Sequence, residues 1–323
     1  PARYGEPVTA VVVFAVVLAG TLLVGRPLID ALRRFEFRQH AYEDAPKSHA
    51  AKSGTPTMGG VLFVLAMLAA LAVTNGPTAI ALVVLGIGCG VVGLVDDVMA
   101  IRLGRNRGLR ARHKFLATAL VAVTFLGFVV RDPTFAFGDT VLAFGPQQLH
   151  VPHLVWYGLC LLAILATTHA VNLTDGLDGL AAGTALPPLA VFGWLAWRAG
   201  DSGVVIVDCA VVAATIGFLV YNRHPARIFM GDTGALALGG VLAGNAVLTG
   251  TVLALPVIGG VFAAEALSVI IQVVYFKRTR KRIFRMSPLH HHFELGGMAE
   301  TSVTKRFWVA SAILSLVGAA IAR

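Results

Sequence analysis

Long apolar runs separated by short polar loops make up most of this chain. A helix needs about 20 mostly apolar residues to cross the hydrocarbon core of a bilayer. Ten runs approach or exceed this length, and they cover residues 8–29, 57–75, 78–99, 114–130, 154–171, 177–197, 204–221, 233–249, 251–276 and 307–322. The pattern predicts an all-α polytopic membrane protein with about ten transmembrane helices, built as a single integral membrane domain over residues 1–323.

Two stretches interrupt this regular pattern. The loop over residues 131–153 contains Pro and Gly and an alternating run at 140–144, which predicts a small hairpin outside the membrane. Within the ninth run, Pro256, Gly259 and Gly260 predict a kinked helix. Such a kink would open a lateral groove in which a lipid chain could lie.

The composition agrees with lipid as the main solvent. Hydrophobic residues make up 57% of the chain and charged residues only 13%, and the mean hydropathy is +0.78. The net charge of +9 does not indicate a nucleic-acid partner, because the basic residues lie between apolar runs and do not form one basic face. The three cysteines are scattered singly and have no metal-site or disulfide spacing.

The basic residues also predict the orientation in the membrane. Of the 26 Lys and Arg residues, 21 lie in the loops that follow the odd-numbered runs. The loops after even-numbered runs contain only Arg131 and Arg198. By the positive-inside rule, five odd loops face the cytoplasm, while both termini and the 131–153 hairpin are periplasmic.

Acidic residues gather in the same cytoplasmic loops. Asp96 and Asp97 end the third run, Asp175 and Asp178 follow the fifth, and Asp232 precedes the eighth. Two adjacent carboxylates near lipid repel each other unless a cation neutralises them. Oxygen ligands of this kind suit Mg²⁺, which often shares its shell with substrate phosphates. A solvated helix end would explain one Asp pair alone, but three acidic groups converging from separate loops favour a cation site.

Several loops carry groups that bind phosphate or nucleotide. Lys52 and Thr57 lie among glycines at the start of the second run, and Lys114 stands at the start of the fourth. The short segment from Asn172 to Gly179 offers an amide, two carboxylates and two glycines, which permit a ligand to approach the backbone. Asn222 opens the seventh loop. A flexible helix start with incidental polar residues is the simpler alternative for each segment taken singly.

The ninth loop contains three consecutive histidines. His290, His291 and His292 are followed by Phe293 and Glu294. Histidine can donate to phosphate oxygens or move a proton near neutral pH. Glu265 is different, because it lies inside the ninth apolar run. An ionisable residue there indicates function by default, but interhelical hydrogen bonding or a neutral, protonated form explains it equally well.

Taken in order, these motifs resemble those of the phospho-MurNAc-pentapeptide translocases, a branch of the polyprenyl-phosphate N-acetylhexosamine-1-phosphate transferases. The resemblance runs from about Ser48 to the C-terminus. The Asp-Asp pair is a weak signal by itself, whereas the triple-His element is the most particular to this branch. The motifs that carry it are 52–60, Asp96-Asp97, Asn172 to Asp178, Asn222 to Asp232, and Pro288 to Glu294.

The resemblance implies an enzyme of peptidoglycan biosynthesis, and hence a role in cell wall biogenesis, cell shape and division. It implies transfer of phospho-MurNAc-pentapeptide from UDP-MurNAc-pentapeptide to undecaprenyl phosphate, giving lipid I and UMP. It further implies Mg²⁺ as cofactor, a ten-span homodimer, membrane lipid as partner, and a place in the bacterial inner membrane with the site facing the cytoplasm.

The resemblance also implies roles for individual residues. Asp232 is the first choice as Mg²⁺ ligand, with Asp96 and Asp97 beside it, and whether one of that pair acts as base, nucleophile or ligand stays open. A lysine common in the family three residues after the pair is replaced by Ala100. The histidines His290, His291 and His292 would contact the diphosphate or sugar, and the Phe229 ring would stack on uracil. The other substrate-binding residues would be Lys52, Thr57, Lys114, Asn172, Asp175, Asp178 and Asn222.

Two alternatives belong to other classes. A sister enzyme would transfer GlcNAc-1-phosphate or another sugar phosphate to the same lipid, which the triple-His element argues against. A secondary transporter would place its polar groups near mid-membrane, often in broken helices. Glu265 is the main carboxylate of that kind, so the sequence favours the transferase.

Overall fold

A computed structural model describes residues 6–34, 54–103, 108–131, 141–144 and 147–322. These residues are helical apart from turns and one short hairpin. The helices are α1 (Glu6–Arg34), α2 (Val61–Leu71), α3 (Pro77–Arg102), α4 (Ala111–Arg131), α5 (His153–Thr174), α6 (Leu180–Arg198), α7 (Ser202–Asn222), α8 (Gly231–Leu248), α9 (Leu255–Ile258), α10 (Gly260–Thr279), α11 (Leu289–Glu294) and α12 (Glu300–Ile321).

Eight helices of the described ranges are long and apolar enough to cross a membrane, namely α1, α3, α4, α5, α6, α7, α10 and α12. The predicted all-α polytopic membrane fold is thereby confirmed. The second predicted run forms only the 11 residues of α2, a length of about 16 Å at 1.5 Å per residue. The count of ten spans and the side of the termini therefore stay predictions.

The short helix α8 lies at the centre of the bundle, where α2, α3, α5 and α6 pack around it. Its residues from Thr233 to Leu248 are all buried. Small residues let the neighbouring backbones approach, as is usual between helices in membranes. A side chain at Gly239 would collide with the backbone of Thr168 in α5, and one at Gly240 would press on Cys89 in α3. The packing fixes the position of the α8 N-terminus, which bears Asp232.

The predicted kink in the ninth run is confirmed. The run is divided into α9 and α10 at Gly259, which adopts a non-helical conformation. Pro256 lies in the first turn of α9, where its missing N–H costs no intrahelical hydrogen bond. Ser315 of α12 donates its hydroxyl to the Ile258 carbonyl at 2.9 Å, next to the break. The chain thus changes direction before α10 continues to the loop of histidines.

The predicted hairpin is also present. Strand β1 (Val141–Phe144) pairs antiparallel with β2 (Gln147–His150), with Leu142 opposite Leu149. The hairpin follows α4 and precedes α5, whereas the chemically interesting residues lie at the other ends of these two helices.

Candidate active site

Three carboxylates and one ammonium group meet where α3, α4, α5 and α8 come together. Lys114, at the start of α4, forms ion pairs with Asp232 and with Asp96, whose Oδ2 lies 3.2 Å from the Lys114 Nζ. Asn172, near the end of α5, donates its amide to Asp232 Oδ1 at 2.7 Å. Residues from α3, α4 and α5 therefore converge on Asp232 at the start of α8. The predicted meeting of the Asp96–Asp97 pair with Asp232 is present, whereas Asp178 contacts His224 and Ala226 instead.

Asp97 has a different environment from Asp232. Its Oδ1 accepts the Asp232 N–H at 3.0 Å, and its Oδ2 accepts both the N–H and the hydroxyl of Thr233, at 3.0 and 2.6 Å. Asp97 thus caps the N-terminus of α8, where the helix dipole favours negative charge. The close approach requires glycine at Gly93, because a side chain there would overlap the Asp232 carbonyl. Asp97 holds the first turn of α8 in place.

Asp96 has one oxygen tied to the backbone and one facing the cluster. Its Oδ1 accepts the N–H of Leu109 at 2.7 Å, which fixes the carboxylate plane. Its Oδ2 is the oxygen that contacts Lys114, together with Asp232. Two carboxylate oxygens from different helices thus share one positive charge. A divalent cation with oxygen ligands fits this donor set, because Asp96 and Asp232 already gather around a cation.

The structure places the basic partner at Lys114. Position 100, where Ala100 replaces the lysine common in the family, lies in the last turn of α3. The ammonium group that contacts the carboxylates comes from the following helix, α4. Although position 100 is an alanine, the carboxylates therefore still have a cationic neighbour.

The segment before α2 runs alongside the segment before α8. Phe229 donates its N–H to the Pro56 carbonyl at 2.8 Å and accepts that of Gly59 at 2.9 Å. Thr57 is buried, and its hydroxyl faces Gly231, at which a side chain would collide with it. Thr57 and Phe229 are therefore held next to the residues that precede Asp232. Lys52 lies outside the described residues.

Asp178 and Asn222 connect two loops of the site. Asn222 donates to the Ile228 carbonyl at 2.9 Å and accepts the N–H of Gly179 at 3.0 Å. Asp178 Oδ2 accepts from Ala226 N at 3.0 Å and lies 2.9 Å from His224 Nδ1. Both side chains are buried, so in this structure they shape the loops from inside.

Asp175 and Asp178 do not share a helix face, as they would if α6 began at Thr174. Helix α5 continues through Thr174, and α6 begins only at Leu180. Gly179 adopts a left-handed conformation with φ of 73°, which ends the turn between the helices. Asp175 caps α5 and remains partly exposed.

The three histidines have three different environments. His290 is buried and its ring Nδ1 lies 3.1 Å from Glu265 Oε1. His291 Nδ1 lies 3.0 Å from Glu294 Oε2, and His292 Nδ1 accepts the N–H of Arg285 at 3.1 Å. His291 and His292 are partly exposed. The interhelical hydrogen bond expected as one explanation of Glu265 is present.

Sequence reasoning missed His169, which lies one helical turn before Asn172. Its ring stacks on Phe115 of α4, with centroids 5.8 Å apart and planes at 13°. Its Nε2 is buried and has no hydrogen-bond partner within the described part of the chain. The spacing of three residues on one helix was the signal that could have found it, because such residues share a face.

Comparisons with known proteins agree with this geometry. A family model described as glycosyl transferase family 4 matches residues 79–250. A signature described as phospho-N-acetylmuramoyl-pentapeptide-transferase signature 1 matches residues 52–64. A relative named phospho-N-acetylmuramoyl-pentapeptide-transferase from Heliobacterium modesticaldum is 48% identical and covers 96% of each chain. The chain belongs to this transferase family.

Two other relatives of the same name extend the finding. The phospho-N-acetylmuramoyl-pentapeptide-transferase of Geobacillus thermodenitrificans is 45% identical, over 95% of this chain and 96% of its own. That of Bacillus subtilis is 42% identical, over 92% and 93%. The resemblance inferred from the motifs is confirmed, and the chain is a multi-pass membrane transferase of the phospho-N-acetylmuramoyl-pentapeptide-transferase family. The transporter alternative finds no support in these relatives.

Proposed function

We propose that this protein transfers phospho-MurNAc-pentapeptide from UDP-MurNAc-pentapeptide to undecaprenyl phosphate, giving lipid I and UMP. The observation that carries the proposal is the convergence of Asp96, Asp232, Lys114 and Asn172 where four helices meet. The names of near full-length relatives support the same reaction. We place the protein in the bacterial inner membrane as a homodimer, with the site facing the cytoplasm.

The reaction is a phosphoryl transfer. An oxygen of the lipid phosphate attacks the phosphorus that bears the sugar, and a new P–O bond forms there. The bond from that phosphorus to the oxygen bridging the two phosphates breaks, and the bridging oxygen leaves with UMP. Such a reaction needs alignment and charge neutralisation more than covalent help from the protein.

We assign different roles to the three carboxylates and to the lysine beside them. Asp96 and Asp232 would hold Mg²⁺, which supplies positive charge to the diphosphate when bound. Asp97 positions the first turn of α8, since both its oxygens already accept hydrogen bonds from that turn. Lys114 lies between the two ligand carboxylates and can transfer its hydrogen bonds to a phosphate oxygen.

The nucleotide would bind beside this cluster. The Phe229 ring, which is partly exposed, would stack on uracil, near Thr57. We infer from the motif that Lys52 also binds the nucleotide. Asn172 and Asp175 would face the ribose and phosphates, whereas Asp178 and Asn222 would shape the pocket through the loops they connect. His291 and His292 would contact the diphosphate or the sugar, since both are partly exposed.

The deciding experiment measures UMP release by the purified protein. The protein in detergent receives undecaprenyl phosphate, Mg²⁺ and either UDP-MurNAc-pentapeptide or UDP-GlcNAc. We expect UMP from the first donor only, and loss of activity with EDTA. Release from UDP-GlcNAc alone would assign the protein to the sister enzymes. If folded protein releases no UMP from either donor, the proposal is refuted.

A further inference from the structure

Glu265 is a carboxylate buried inside the α10 span, with an exposed fraction of 0%. Its Oε1 accepts the backbone N–H of His290 at 3.2 Å and lies 3.1 Å from the ring Nδ1 of the same residue. A carboxylate buried in a membrane span is costly, so it usually has a partner and a functional role. Here the partner belongs to the loop that carries the three histidines.

The two contacts fix both the orientation and the tautomer of His290. The ionised carboxylate only accepts hydrogen bonds, so with Glu265 in this form the Nδ1 atom that faces it carries the hydrogen. The second contact, through the backbone N–H, prevents the start of α11 from sliding along α10. The imidazole therefore presents its Nε2 in one fixed direction.

The Nε2 atom points at the connection between α5 and α6. A side chain at Gly176 would overlap the His290 ring at this atom, so glycine is required for the approach. Nε2 is buried and has no hydrogen-bond partner within the described residues. The neighbouring Asp175 belongs to the proposed substrate pocket, so a polar group without a partner is held at the wall of that pocket.

We propose that Glu265 is a positioning residue, which acts through His290 to hold the Nε2 atom where the diphosphate-sugar part of the donor binds. The inference rests on the proposed function, which places the donor beside Asp175. The ring Nε2, which is an acceptor when Nδ1 carries the hydrogen, then accepts a hydrogen bond from a hydroxyl or amide N–H of the sugar part of the bound donor. A purely structural role would instead make the pair a connection between α10 and α11 with no effect on turnover.

A double-mutant cycle separates these two roles. We compare Glu265→Leu, which removes the acceptor oxygen, with His290→Gln and the double variant by kcat, by KM for each substrate, by UMP affinity and by Tm. Loss of a group that orients a functional histidine costs about 10- to 100-fold in activity. We expect each single variant to lose kcat by this factor with UMP affinity unchanged, and the double variant to lose no more than the worse single one.

Other outcomes would overturn the inference. If Glu265→Leu keeps the kcat of the wild type, or if the two losses multiply, Glu265 does not act through His290. Should Glu265→Leu fail to fold, Glu265→Asp retains the charge while it shortens the reach, and full kcat in that variant would likewise refute the role. Asp208→Leu, which alters another buried carboxylate in a span, is the matched control with unchanged kcat. An inactive wild type would refute the proposed function, and an active wild type with an active Glu265→Leu would refute this inference alone.

Discussion

Helix α8 carries an acid–amide grouping at each end, and the two groupings differ in what surrounds them. At the N-terminus, Asp232 contacts Asn172 and Lys114. At the other end, Asn245 donates its amide to Asp208 Oδ1 of α7 at 2.6 Å. Asn245 lies 13 positions after Asp232, which separates the two groupings by about 20 Å along the helix axis.

The two groupings differ in whether the carboxylate has a cationic partner and in whether solvent has access to it. The Asp232 side chain is 23% exposed and shares a lysine with Asp96, whereas Asp208 is 2% exposed. Asp208 Oδ2 and Asn245 Oδ1 have no hydrogen-bond partner within the described ranges. The same residue types therefore build an accessible cluster, the proposed cation site, at one end of α8 and a closed connection between α7 and α8 at the other. A carboxylate can take part in catalysis only where solvent and substrate have access to it.

The largest expected effect comes from the same substitution made at both ends. Asp232→Asn removes the charge at the proposed cation site, and loss of one electrostatic stabiliser of this kind costs at least about 100-fold in kcat. Asp208→Asn makes the identical chemical change in the closed pair and should leave kcat unchanged. UMP release under saturating substrate measures both. Equal losses in the two variants would remove the distinction drawn between the two ends.

Lys114→Gln should have the next largest effect. Without the ammonium group, Asp96 and Asp232 face each other with no opposite charge between them, and a neutral side chain no longer binds phosphate. We expect a loss of about 100-fold in kcat. We also expect the Tm of this variant to rise more with added Mg²⁺ than the Tm of the wild type, because the cation now relieves the repulsion.

The matched control for this second prediction is Arg110→Gln, which removes a positive charge from the same loop just before α4. Its Tm should respond to Mg²⁺ as the wild type does. A Tm of Lys114→Gln that is insensitive to Mg²⁺ would contradict the assignment of Asp96 and Asp232 as the ligands.

The sequence predicted the helices and the gathering of the acids, because both follow from strong constraints. Lipid requires long apolar helices, and short loops between such helices cannot carry Asp96, Asp175 and Asp232 far from one another. The different environments of Asp96 and Asp97 could not be predicted from the sequence. It depends on how closely α3 approaches α8 at Gly93, and an apolar run contains no information on the register between two helices.

The same limit explains what was missed elsewhere. His169 and the Asp208–Asn245 pair lie within apolar runs, where their partners come from other helices. Asn222 and Asp178 stay predicted ligand residues. In this structure Asn222 bonds to the backbone of Gly179 and Ile228, while Asp178 contacts the Ala226 N–H and the His224 ring. A polar residue in a loop can bind a ligand or stabilise the loop, and its contacts in the folded protein are needed to distinguish these roles.

Thr233→Val tests whether Asp97 positions α8, with a smaller expected effect. The substitution removes the hydroxyl that donates to Asp97 Oδ2 at 2.6 Å and keeps both backbone donors. Loss of one such hydrogen bond to a charged group costs about 1.5–3 kcal/mol in the free energy of unfolding. Denaturation of the purified protein measures it. An unchanged stability would show that the backbone N–H groups alone hold Asp97.

The smallest effect on activity is expected at the closed end of α8. Asn245→Ala removes the donor to Asp208 and leaves that carboxyl group buried without its partner, which costs about 1–3 kcal/mol in the free energy of unfolding. Turnover per folded molecule should not change, because Asn245 lies about 20 Å along α8 from Asp232. Replacing both residues by Leu should recover the stability, since an apolar pair needs no hydrogen bond. A fall in kcat with Asn245→Ala, at unchanged folded fraction, would mean that the two ends of α8 are coupled and that this pair also serves the reaction.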